Sequence, residues 1–385
     1  MVHFALQEAT AAFVIMLILS RLIISYSLPS SRFAEKTACR TRLSTNVAPA
    51  VTHPRSCCTI TSTKLCARHF TQSTTSSSTE DVVSLAQRQK DKLVMDMLYR
   101  VRQCNIVPKE KKDKLVNFVI NGKLLGKPSL ELAERLDQTP IFSLDSGTLV
   151  LTAEAGTSRN ERTQNIHKIM LQLKEEGIIT GWRDEFLSVS SGFYDEPVFL
   201  IERAAAPVFG TQAYGVHING YVRDETGEIR LWVARRSHTK SKYPGMLDHI
   251  VAGGQPYGIS PMENVIKECG EEAGIPRDLA QAARPAGAIS YEYSGKTGME
   301  RACLFCYDLE LPKDFTPQVV DGEVDEFFLW TLDEVAATMD PNCQDPYKPN
   351  CYLVIIDFML RNGFISPESP GYLNILRELR SGLCA

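Results

Sequence analysis

The sequence predicts an α/β protein in which a small α+β domain precedes an α/β/α sandwich. The chain has 385 residues, which is too long for one simple core and suits two folded domains with tails. Up to about residue 205, short helix-like and strand-like segments follow one another; beyond it, strand-like runs flank and separate helices. We therefore predict a targeting presequence at 1–80, the small domain at 81–205 and the sandwich at 206–385.

The first region has the composition of a targeting segment. Its apolar run Ala11 to Ser20 is short for a membrane span but suits a signal-peptide core. From Pro29 to Thr79 the chain is rich in Ser and Thr and poor in acids, as organelle transit peptides are. We expect a two-part plastid presequence that is largely disordered. A signal anchor, a mitochondrial leader and a wrongly assigned gene start are the alternatives, and Glu8 counts against a standard signal peptide.

Charge separates this segment from the rest of the chain. Residues 1–79 hold eight Lys or Arg and two acids, whereas the whole chain has 42 basic and 46 acidic residues. Subtraction leaves 34 basic and 44 acidic residues in the remainder. Sequence-independent nucleic-acid binding depends on basic surface that neutralises phosphates. We therefore expect no nucleic-acid partner.

Residues 81–205 have the pattern of a small α+β domain. Apolar residues at helical spacing predict helices at 81–102, 130–136 and 163–174. Strands are predicted at 141–147 and 148–153, and a strand or short helix at 112–119. The segment AAAPVFG, Ala204 to Gly210, is predicted to be the linker that closes the domain.

Strand-like runs dominate the region 206–385. The runs 213–223 and 229–235 are joined by the turn sequence DETGE, and further strands are predicted at 246–251, 286–293, 302–309 and 326–330. Between them, Ser260 as N-cap, Pro261 at the first helical position and Gly274 as stop predict a helix over 261–273. Later helices are predicted at 332–339 and 352–362.

The eleven cysteines do not indicate a zinc site. Four of them lie in the predicted presequence. Cys303 and Cys306 form a CxxC pair, but hydrophobic residues surround it and no second pair follows at zinc spacing. We interpret the pair as two residues of one strand.

The helix at 261–273 carries an acidic face. On a helical wheel its apolar residues form one stripe, and Glu268, Glu271 and Glu272 fall on the opposite side, where their carboxylates are predicted to converge. A solvated acidic surface is the ordinary explanation of such a face. A hard divalent cation is the other, because Mg²⁺ binds through a few carboxylates together with substrate phosphates.

The residues around this helix favour the cation. The stretch GGQPYGISPMENVIKECGEEAGI, from Gly253 to Ile275, resembles the Nudix box: Gly, five residues, Glu, seven residues, Arg-Glu, an aliphatic residue, any residue, Glu-Glu, any residue, Gly and an aliphatic residue. Seven of these nine positions fit, counting Cys269 as the apolar one. Ile259 replaces the first Glu, and Lys267 replaces Arg.

This resemblance implies a Nudix α/β/α sandwich and a metal-dependent hydrolase that cleaves a diphosphate linkage. It implies that Glu268, Glu271 and Glu272, with the backbone at Gly253, hold Mg²⁺ or Mn²⁺. Lys267 keeps a positive charge beside the carboxylates but lacks the bidentate fork of Arg. The isoleucine at the first Glu position is expected to weaken the outer shell of the site.

A carboxylate is expected to act as general base toward the attacking water. The candidates are Glu271, Glu272, Glu323, Asp325 and Glu326. The last three belong to the acidic run DGEVDEFF, for which a solvated turn is the alternative.

Basic and aromatic residues are candidates for substrate contacts. The candidates for the substrate phosphates are Arg235, Arg236, Lys240 and Lys242, with a solvated hairpin as the alternative. The candidates for stacking on a substrate ring are Trp232, Tyr243 and Tyr257, with ordinary packing as the alternative.

Longer motifs are similar to one Nudix subfamily. HINGYVRDETGEIRLWVARRSHTKSKYPGMLDHIVAGGQPYG, DGEVDEFFLWTLDEV and KPNCYLVIIDFMLRNGFI resemble proteins with an extra N-terminal domain, related to the thiamine pyrophosphokinase-associated Nudix proteins of fungi and plants. The resemblance covers roughly residues 85–380. It implies hydrolysis of thiamine diphosphate analogues, especially damaged forms such as oxo- or oxy-thiamine diphosphate, to the monophosphate.

Two other functions stay open on the sequence. A Nudix hydrolase of nucleoside diphosphate derivatives is the alternative substrate class. A catalytically weak diphosphate-binding protein is the alternative of another class, motivated by Ile259 and Lys267. In each case we expect a small-molecule diphosphate as partner and no stable membrane span in the mature protein; the sequence does not predict an oligomeric state.

Overall fold

The computed structural model describes residues 79–383 of the chain, and its side chains from residue 87 onward. The described residues belong to one compact unit. The predicted presequence, residues 1–80, lies outside them apart from its last two positions. Within the described part, no helix is both long and apolar enough to cross a bilayer.

The N-terminal part is a small α+β fold, as predicted. Its elements are α1 (Thr79–Gln103), α2 (Lys109–Lys112), β1 (Asn117–Ile120), β2 (Lys123–Gly126), α3 (Leu130–Asp137), β3 (Phe142–Asp145), β4 (Thr148–Leu151), α4 (Arg159–Glu175), β5 (Phe186–Val189), β6 (Phe199–Glu202) and α5 (Ala206–Phe209). One sheet has the order β2-β1-β4-β3, and β5 pairs with β6. Phe118, Phe142, Phe199 and Phe209 are fully or almost fully buried in its core.

The segment predicted to be a linker is the buried helix α5 instead. Ala206, Val208 and Phe209 are at most 5% exposed and belong to the core of the N-terminal part. Pro207 lies in the first turn, and Gly210 ends the helix in the left-handed region at φ 60°. Pro and Gly here mark the two ends of a short helix. Burial of the apolar residues between them is more favourable than their exposure to water in a linker.

The C-terminal part is built on a mixed sheet between layers of helices. Its elements are β7 (Gln212–Arg223), β8 (Ile229–Arg236), β9 (Leu247–His249), β10 (Val251–Gly254), α6 (Pro261–Ala273), α7 (Arg277–Ala280), β11 (Arg284–Ser294), β12 (Met299–Glu310), β13 (Val324–Thr331), α8 (Leu332–Ala337), α9 (Pro349–Arg361) and α10 (Tyr372–Glu378). The strand order is β11-β12-β7-β8-β13, with β10 on β7 and β9 on β8. Strand β12 runs parallel to β7, whereas the other pairs are antiparallel.

Two hydrophobic clusters cover the two faces of this sheet. On one face, Val265 and Cys269 of α6 pack with Val216 of β7. On the other face, α9 packs against residues of β8 and β12, and α1 joins the same cluster. Because α1 and α6 lie on opposite faces, the predicted three-layer sandwich is confirmed, with α1 as part of one outer layer.

The predicted strand at 246–251 is divided into β9 and β10. Strand β9 pairs with β8, and β10 pairs with β7, so the chain changes partner at Ile250. The Ile250 side chain is fully buried and occupies the space beside Gly220. A Cβ added to Gly220 would lie 2.7 Å from Ile250 Cγ2. This crossing brings Gly253 and Gly254 to an end of the sheet beside α6.

Candidate active site

Helix α6 has the bounds that its end signals predict. The Ser260 hydroxyl accepts a hydrogen bond from the Glu263 N–H at 3.2 Å, and the Glu263 carboxylate accepts one from the Ser260 N–H at 2.8 Å. Gly274 ends the helix at φ 62°, and its N–H bonds to the Cys269 carbonyl. These caps define the two ends of the helix, and the box glutamates lie in its last two turns.

The three glutamates of α6 differ in burial. Glu271 keeps 52% of its side-chain surface exposed and Glu268 keeps 13%, whereas Glu272 is buried. The wheel-based prediction that Glu272 lies opposite the apolar stripe is therefore wrong. Its carboxylate accepts a hydrogen bond from the Ala252 N–H of β10 at 2.9 Å, which holds it between helix and strand.

Lys267 links the two more exposed carboxylates. Its Nζ lies 3.1 Å from Glu268 Oε1 and 2.8 Å from Glu271 Oε2. A positive charge at this box position therefore contacts its carboxylate neighbours, as predicted. Burial raises the pKa of Glu268 above its usual value, and the contact with Lys267 opposes that rise.

The surroundings of Glu272 disfavour the ionised form of its carboxyl group. Burial raises the pKa of its carboxyl well above the usual value, and the Ala252 hydrogen bond only partly offsets this. The negative charge of Glu268 raises it further. A positive charge beside this carboxylate would stabilise its ionised form further.

Gly253 packs directly against one of these carboxylates. A Cβ on Gly253 would lie 2.3 Å from Glu268 Cδ and 2.5 Å from Oε1, closer than real contacts allow. The residue pairs with Val216 of β7, so its backbone cannot move away. The absent side chain therefore gives Glu268 its position beside the β10 backbone.

The glutamates line a cleft of about 1310 Å³ that both parts of the chain form. Its acidic lining residues are Glu185, Glu268, Glu271, Glu272, Glu300, Asp321 and Glu323. Its basic lining residues are Lys111, Arg183, Arg203, Arg236, Lys240, Lys242, Lys267, Lys296, Arg301 and Lys348. The cleft therefore combines carboxylates with cations, which a site for a metal ion and a diphosphate requires.

Of the three candidate bases in the run DGEVDEFF, Glu323 reaches this cleft; Asp321, the first residue of the run, lines it as well. Glu323 forms an ion pair with Lys240. Burial alone would raise the pKa of Glu323, but Lys240, helped by Arg236 and Arg203, lowers it below the usual value. Asp325 instead contacts His238 Nδ1 at 2.7 Å, and Glu326 lies 3.4 Å from Arg235; neither lines the cleft.

The predicted phosphate-binding residues divide in the same way. Arg236, Lys240 and Lys242 line the cleft. Arg235 does not, because its guanidinium donates two hydrogen bonds of 2.7 Å to the Asp345 carboxylate. Lys242 Nζ contacts Glu300 at 2.8 Å, and it is the more accessible of these cations, with 61% of its side chain exposed.

The aromatic lining is Tyr243 together with three tyrosines that the sequence analysis did not single out: Tyr214, Tyr291 and Tyr293. Tyr291 and Tyr293 lie on β11, and the Tyr293 hydroxyl is 3.3 Å from that of Tyr243. Residues two apart on a strand share one face, so the motif YEY was an available signal. Trp232 packs against the α6 cluster instead.

Ile259 and Tyr257 line a separate, smaller pocket of about 190 Å³. The Ile259 carbonyl accepts a hydrogen bond from Gln255 Nε2 at 2.7 Å. Because Ile259 is not a lining residue of the large cleft, its replacement of the box Glu leaves the three glutamates of α6 in place.

A buried polar cluster lies behind the cleft. His217 Nδ1 is 3.2 Å from His249 Nδ1, and Cys351 Sγ donates to Asp248 Oδ1 at 2.8 Å. Within residues 87–383, the two histidines and Cys351 are the one set of three His, Cys, Asp or Glu ligand atoms that lie within 4.8 Å of one another.

Two cations disfavour a metal ion at this cluster. Arg236 and Lys348 contact Asp248 Oδ2 at 2.6 and 3.4 Å, so a further positive charge there would be repelled. We interpret the cluster as a buried hydrogen-bond network. The sequence offered no signal for it, because its members come from β7, β9 and α9.

Comparisons with known proteins agree with this geometry. A family model described as "NUDIX domain" matches residues 213–351, and one described as "Domain of unknown function (DUF4743)" matches residues 96–213. The chain is similar to Nudix hydrolase 24, chloroplastic, of Arabidopsis thaliana, with 43% identity over 291 residues, which are 75% of this chain and 78% of the relative. Nudix hydrolase 20, chloroplastic, of the same plant is 42% identical over 295 residues, or 74% and 78%.

More distant similarities extend to yeast and to solved structures. An uncharacterized protein of Saccharomyces cerevisiae is 38% identical over 236 residues, or 57% of this chain and 67% of that protein. The NUDIX domain of Shewanella oneidensis NrtR, solved in complex with ADP ribose, aligns with a TM-score of 0.32 at 14% identity. That alignment covers 40% of this chain and 90% of the solved one.

Proposed function

Because the chain belongs to the Nudix hydrolase family, we propose that its cleft hydrolyses thiamine diphosphate analogues, including damaged forms such as oxo- or oxy-thiamine diphosphate, to the monophosphate. Membership makes the chain a hydrolase that acts on phosphorus-containing anhydrides; the substrate is the proposed step. One observation carries it: the box glutamates and four tyrosines line the same cleft. A thiamine diphosphate analogue likewise joins a diphosphate to ring systems that can stack on aromatic side chains.

The glutamates of α6 fit a divalent cation, which Nudix hydrolases generally use, and we propose Mg²⁺ or Mn²⁺. The buried Glu272 carboxylate has one hydrogen bond and no ion pair within the described residues, so a cation would supply its missing counter-charge. The three carboxylates do not all lie within 4.8 Å of one another. Mg²⁺ keeps several waters and uses few protein ligands, so it does not require all three carboxylates in direct contact.

We propose that Glu268, Glu271 and Glu272, with the backbone at Gly253, hold this ion. When bound, the cation neutralises diphosphate oxygens and lowers the pKa of a bound water. Lys267 would keep Glu268 and Glu271 oriented while the ion is absent.

Glu323 is our proposal for the general base. Lys240 holds the Glu323 carboxylate in the ionised form, which can accept a proton. Glu323 also lines the cleft, and it does not belong to α6. Glu271 and Glu272 are the other two candidates. Lys242 is proposed to contact the substrate phosphates, because it lines the cleft and 61% of its side chain is exposed. Arg235 and Arg236 are already engaged by the carboxylates of Asp345 and Asp248.

The first test is a matched pair of variants on one helix. Glu272→Gln should lower Mg²⁺-dependent phosphate release by about 100-fold or more, because the amide has no negative charge. Glu263→Gln should retain activity, because Gln also serves at this capping-box position. Equal phosphate release from Glu272→Gln and the unaltered protein would show that this carboxylate has no catalytic role.

The second test addresses the substrate. We expect faster turnover of oxothiamine diphosphate than of ADP-ribose or NADH when each is supplied with Mg²⁺ at the same concentration. A strong preference for the nucleotides would replace our proposal with hydrolysis of nucleoside diphosphate derivatives.

We also propose that the protein acts in plastids. The composition of residues 1–80 supports this, as do two relatives whose names describe them as chloroplastic. A fluorescent protein fused behind residues 1–80 should accumulate in plastids, whereas accumulation in mitochondria would favour the alternative.

A further inference from the structure

We propose that the N-terminal part completes the active site by supplying an anion-binding pair, Arg203 and Arg183, for the phosphate end of the substrate. The inference rests on the proposed diphosphatase function. It gives a role to the region that matches a domain of unknown function, residues 96–213. Both arginines line the cleft that contains the glutamates of α6.

Arg203 lies against the glycine pair at the start of the Nudix box. A Cβ on Gly254 would lie 3.0 Å from Arg203 Cζ and 3.1 Å from its Nη2, so the guanidinium is packed on this glycine. The neighbouring Gly253 makes the equivalent space for Glu268. Successive residues of a strand face opposite sides, so Glu268 and Arg203 approach the end of β10 from its two faces.

The guanidinium has donors available for a ligand. Arg203 Nη1 donates to Glu185 Oε2 at 2.7 Å, and within the described part of the chain this is the one hydrogen bond that the guanidinium makes. Its side chain is 45% exposed. The planar fork of an arginine can bind a phosphate through two parallel N–H donors, so Arg203 can contact an anion while it keeps the ion pair with Glu185.

A buried carboxylate fixes the two segments that carry the arginines. Glu202, at the end of β6, is 0% exposed. One of its oxygens accepts a hydrogen bond from the Arg183 N–H at 2.7 Å, and the other accepts one from the Ala204 N–H at 2.6 Å. Burial of a carboxylate is unfavourable unless it is well bonded, and here it holds the backbone on both sides of the pair.

Arg183 reaches across to the C-terminal part. Its Nη2 donates to the Ser241 hydroxyl at 3.0 Å, in the loop that also carries Lys240 and Lys242. The two arginines therefore extend the row of cations that the sequence placed only before the Nudix box. Glu202 bonds the backbone of Arg183, and Ser241 bonds its side chain.

The charge balance of the cleft requires such cations. A diphosphate would be repelled by the box glutamates and by Glu323 at the site. Arg203 packs against Gly254, the residue after the glycine that Glu268 packs against, and it lines the same cleft as Glu268 and Glu323. A cation in this position is well placed to offset the repulsion between these carboxylates and an anion.

Structural stability alone does not account for this pair. The Arg203–Glu185 contact joins side chains that are 45% and 29% exposed, and such pairs contribute little to the free energy of unfolding. Arg135 and Glu176 form a similar exposed ion pair in the same part of the chain, and neither lines the cleft. Arg135 is therefore the matched control.

The test measures binding of inorganic diphosphate with Mg²⁺ to the full chain by titration calorimetry. Arg203→Gln should weaken binding by about tenfold, the effect of losing about 1.4 kcal/mol. Arg203→Lys should weaken it less, because the charge remains but the fork is lost, and Arg135→Gln should bind like the unaltered protein. Thermal unfolding of each variant checks that the fold is retained.

Several outcomes would overturn the inference. Unchanged diphosphate binding by Arg203→Gln is one, an equal loss in Arg135→Gln is another, and no diphosphate binding by the unaltered protein is a third. Turnover is measured separately: if the unaltered protein binds diphosphate through Arg203 but hydrolyses no thiamine diphosphate analogue, the proposed substrate fails while the anion site stands. If it does hydrolyse one, KM should rise more than kcat falls in Arg203→Gln.

Discussion

At the scale of single residues, the candidate site depends on two glycines that leave space for charged side chains. Gly253 and Gly254 have no Cβ, and the freed space is occupied by the Glu268 carboxylate and the Arg203 guanidinium. Gly270, on the outer surface of α6, has nothing within 4 Å of where a Cβ would be. Glycines in one motif therefore have different physical consequences.

The first prediction compares two of these glycines. Gly253→Ala should displace the Glu268 side chain and lower Mg²⁺-dependent hydrolysis, because its Cβ would overlap Glu268 Cδ at 2.3 Å. Gly270→Ala should retain activity and raise the free energy of unfolding by about 0.5–1 kcal/mol, because alanine favours a helix interior. Phosphate-release rates and denaturant unfolding of both variants measure this; full activity in Gly253→Ala would contradict it.

The second prediction concerns pH and the buried histidines. Burial lowers the pKa of His249 to about 4 and that of His217 well below its usual value. An unfolded histidine binds its proton near pH 6.5, so between about 6.5 and 4 the unfolded chain holds more protons than the folded one. The free energy of unfolding should therefore fall as pH falls through this window.

Denaturant unfolding between pH 6.5 and 5, above the range where most carboxylates titrate, measures this slope. His249→Asn should reduce it, because it removes one of the two buried histidines. The same slope in His249→Asn and the unaltered protein would exclude this histidine as its source.

At the scale of elements, α6 is the part of the site that local sequence specifies best. Its N-cap, capping box, N-terminal proline and C-terminal glycine all agree with one set of helix bounds. One of its glutamates was assigned to the wrong face: Glu272 follows Val265 by seven positions, about two helical turns, so it lies on the apolar side of the helix. Glu272 is buried because a backbone N–H of β10 is available to bond it, and that strand is brought there by the crossing at Ile250.

The third prediction tests the cap of this helix. Ser260→Ala removes the acceptor for the Glu263 N–H and should lower the free energy of unfolding by about 1 kcal/mol. Activity should be retained, because the box glutamates lie in the last two turns of α6. Ser260→Asp should preserve stability; thermal and denaturant unfolding compare the three proteins, and equal stability of Ser260→Ala would show that the cap is not required.

At the scale of the whole molecule, the two parts are joined by a shared core and a shared cleft. Helix α1 precedes the small α+β fold in the chain but packs in the cluster of α9 and the large sheet. Arg100 donates from α1 to the carbonyls of Thr338, Met339 and Asp340. The predicted bounds 81–205 and 206–385 stay a proposal, with α1 as the element that crosses between them.

The fourth prediction is a pair of truncations. Removal of residues 1–103 deletes α1 and exposes the surface covered by Val94, Met97, Leu98 and Val101, each at most 2% exposed. Burial of each such side chain contributes about 1.5–3 kcal/mol, so the loss approaches the whole free energy of unfolding, about 5–15 kcal/mol. This variant should be insoluble or lack a cooperative transition, whereas removal of residues 1–78 should leave a folded enzyme.

The sequence predicted the α/β/α sandwich from the order of strand-like and helix-like runs, and the bounds of α6 from its end signals. The box glutamates followed from the resemblance to the Nudix box. Cys303 and Cys306 were likewise placed correctly, as buried residues of β12. The AAAPVFG segment was misread because proline and glycine terminate helices as readily as they form linkers.

Only the tertiary structure decided which charged and aromatic side chains meet in the cleft. Arg235 and Arg236 are adjacent in sequence, yet alternation along β8 sends one to Asp345 and the other to the cleft. Arg203 reaches the glycines of the Nudix box from another sheet, 50 residues earlier in the chain. These contacts depend on how distant elements pack against one another, which local patterns of residues do not predict.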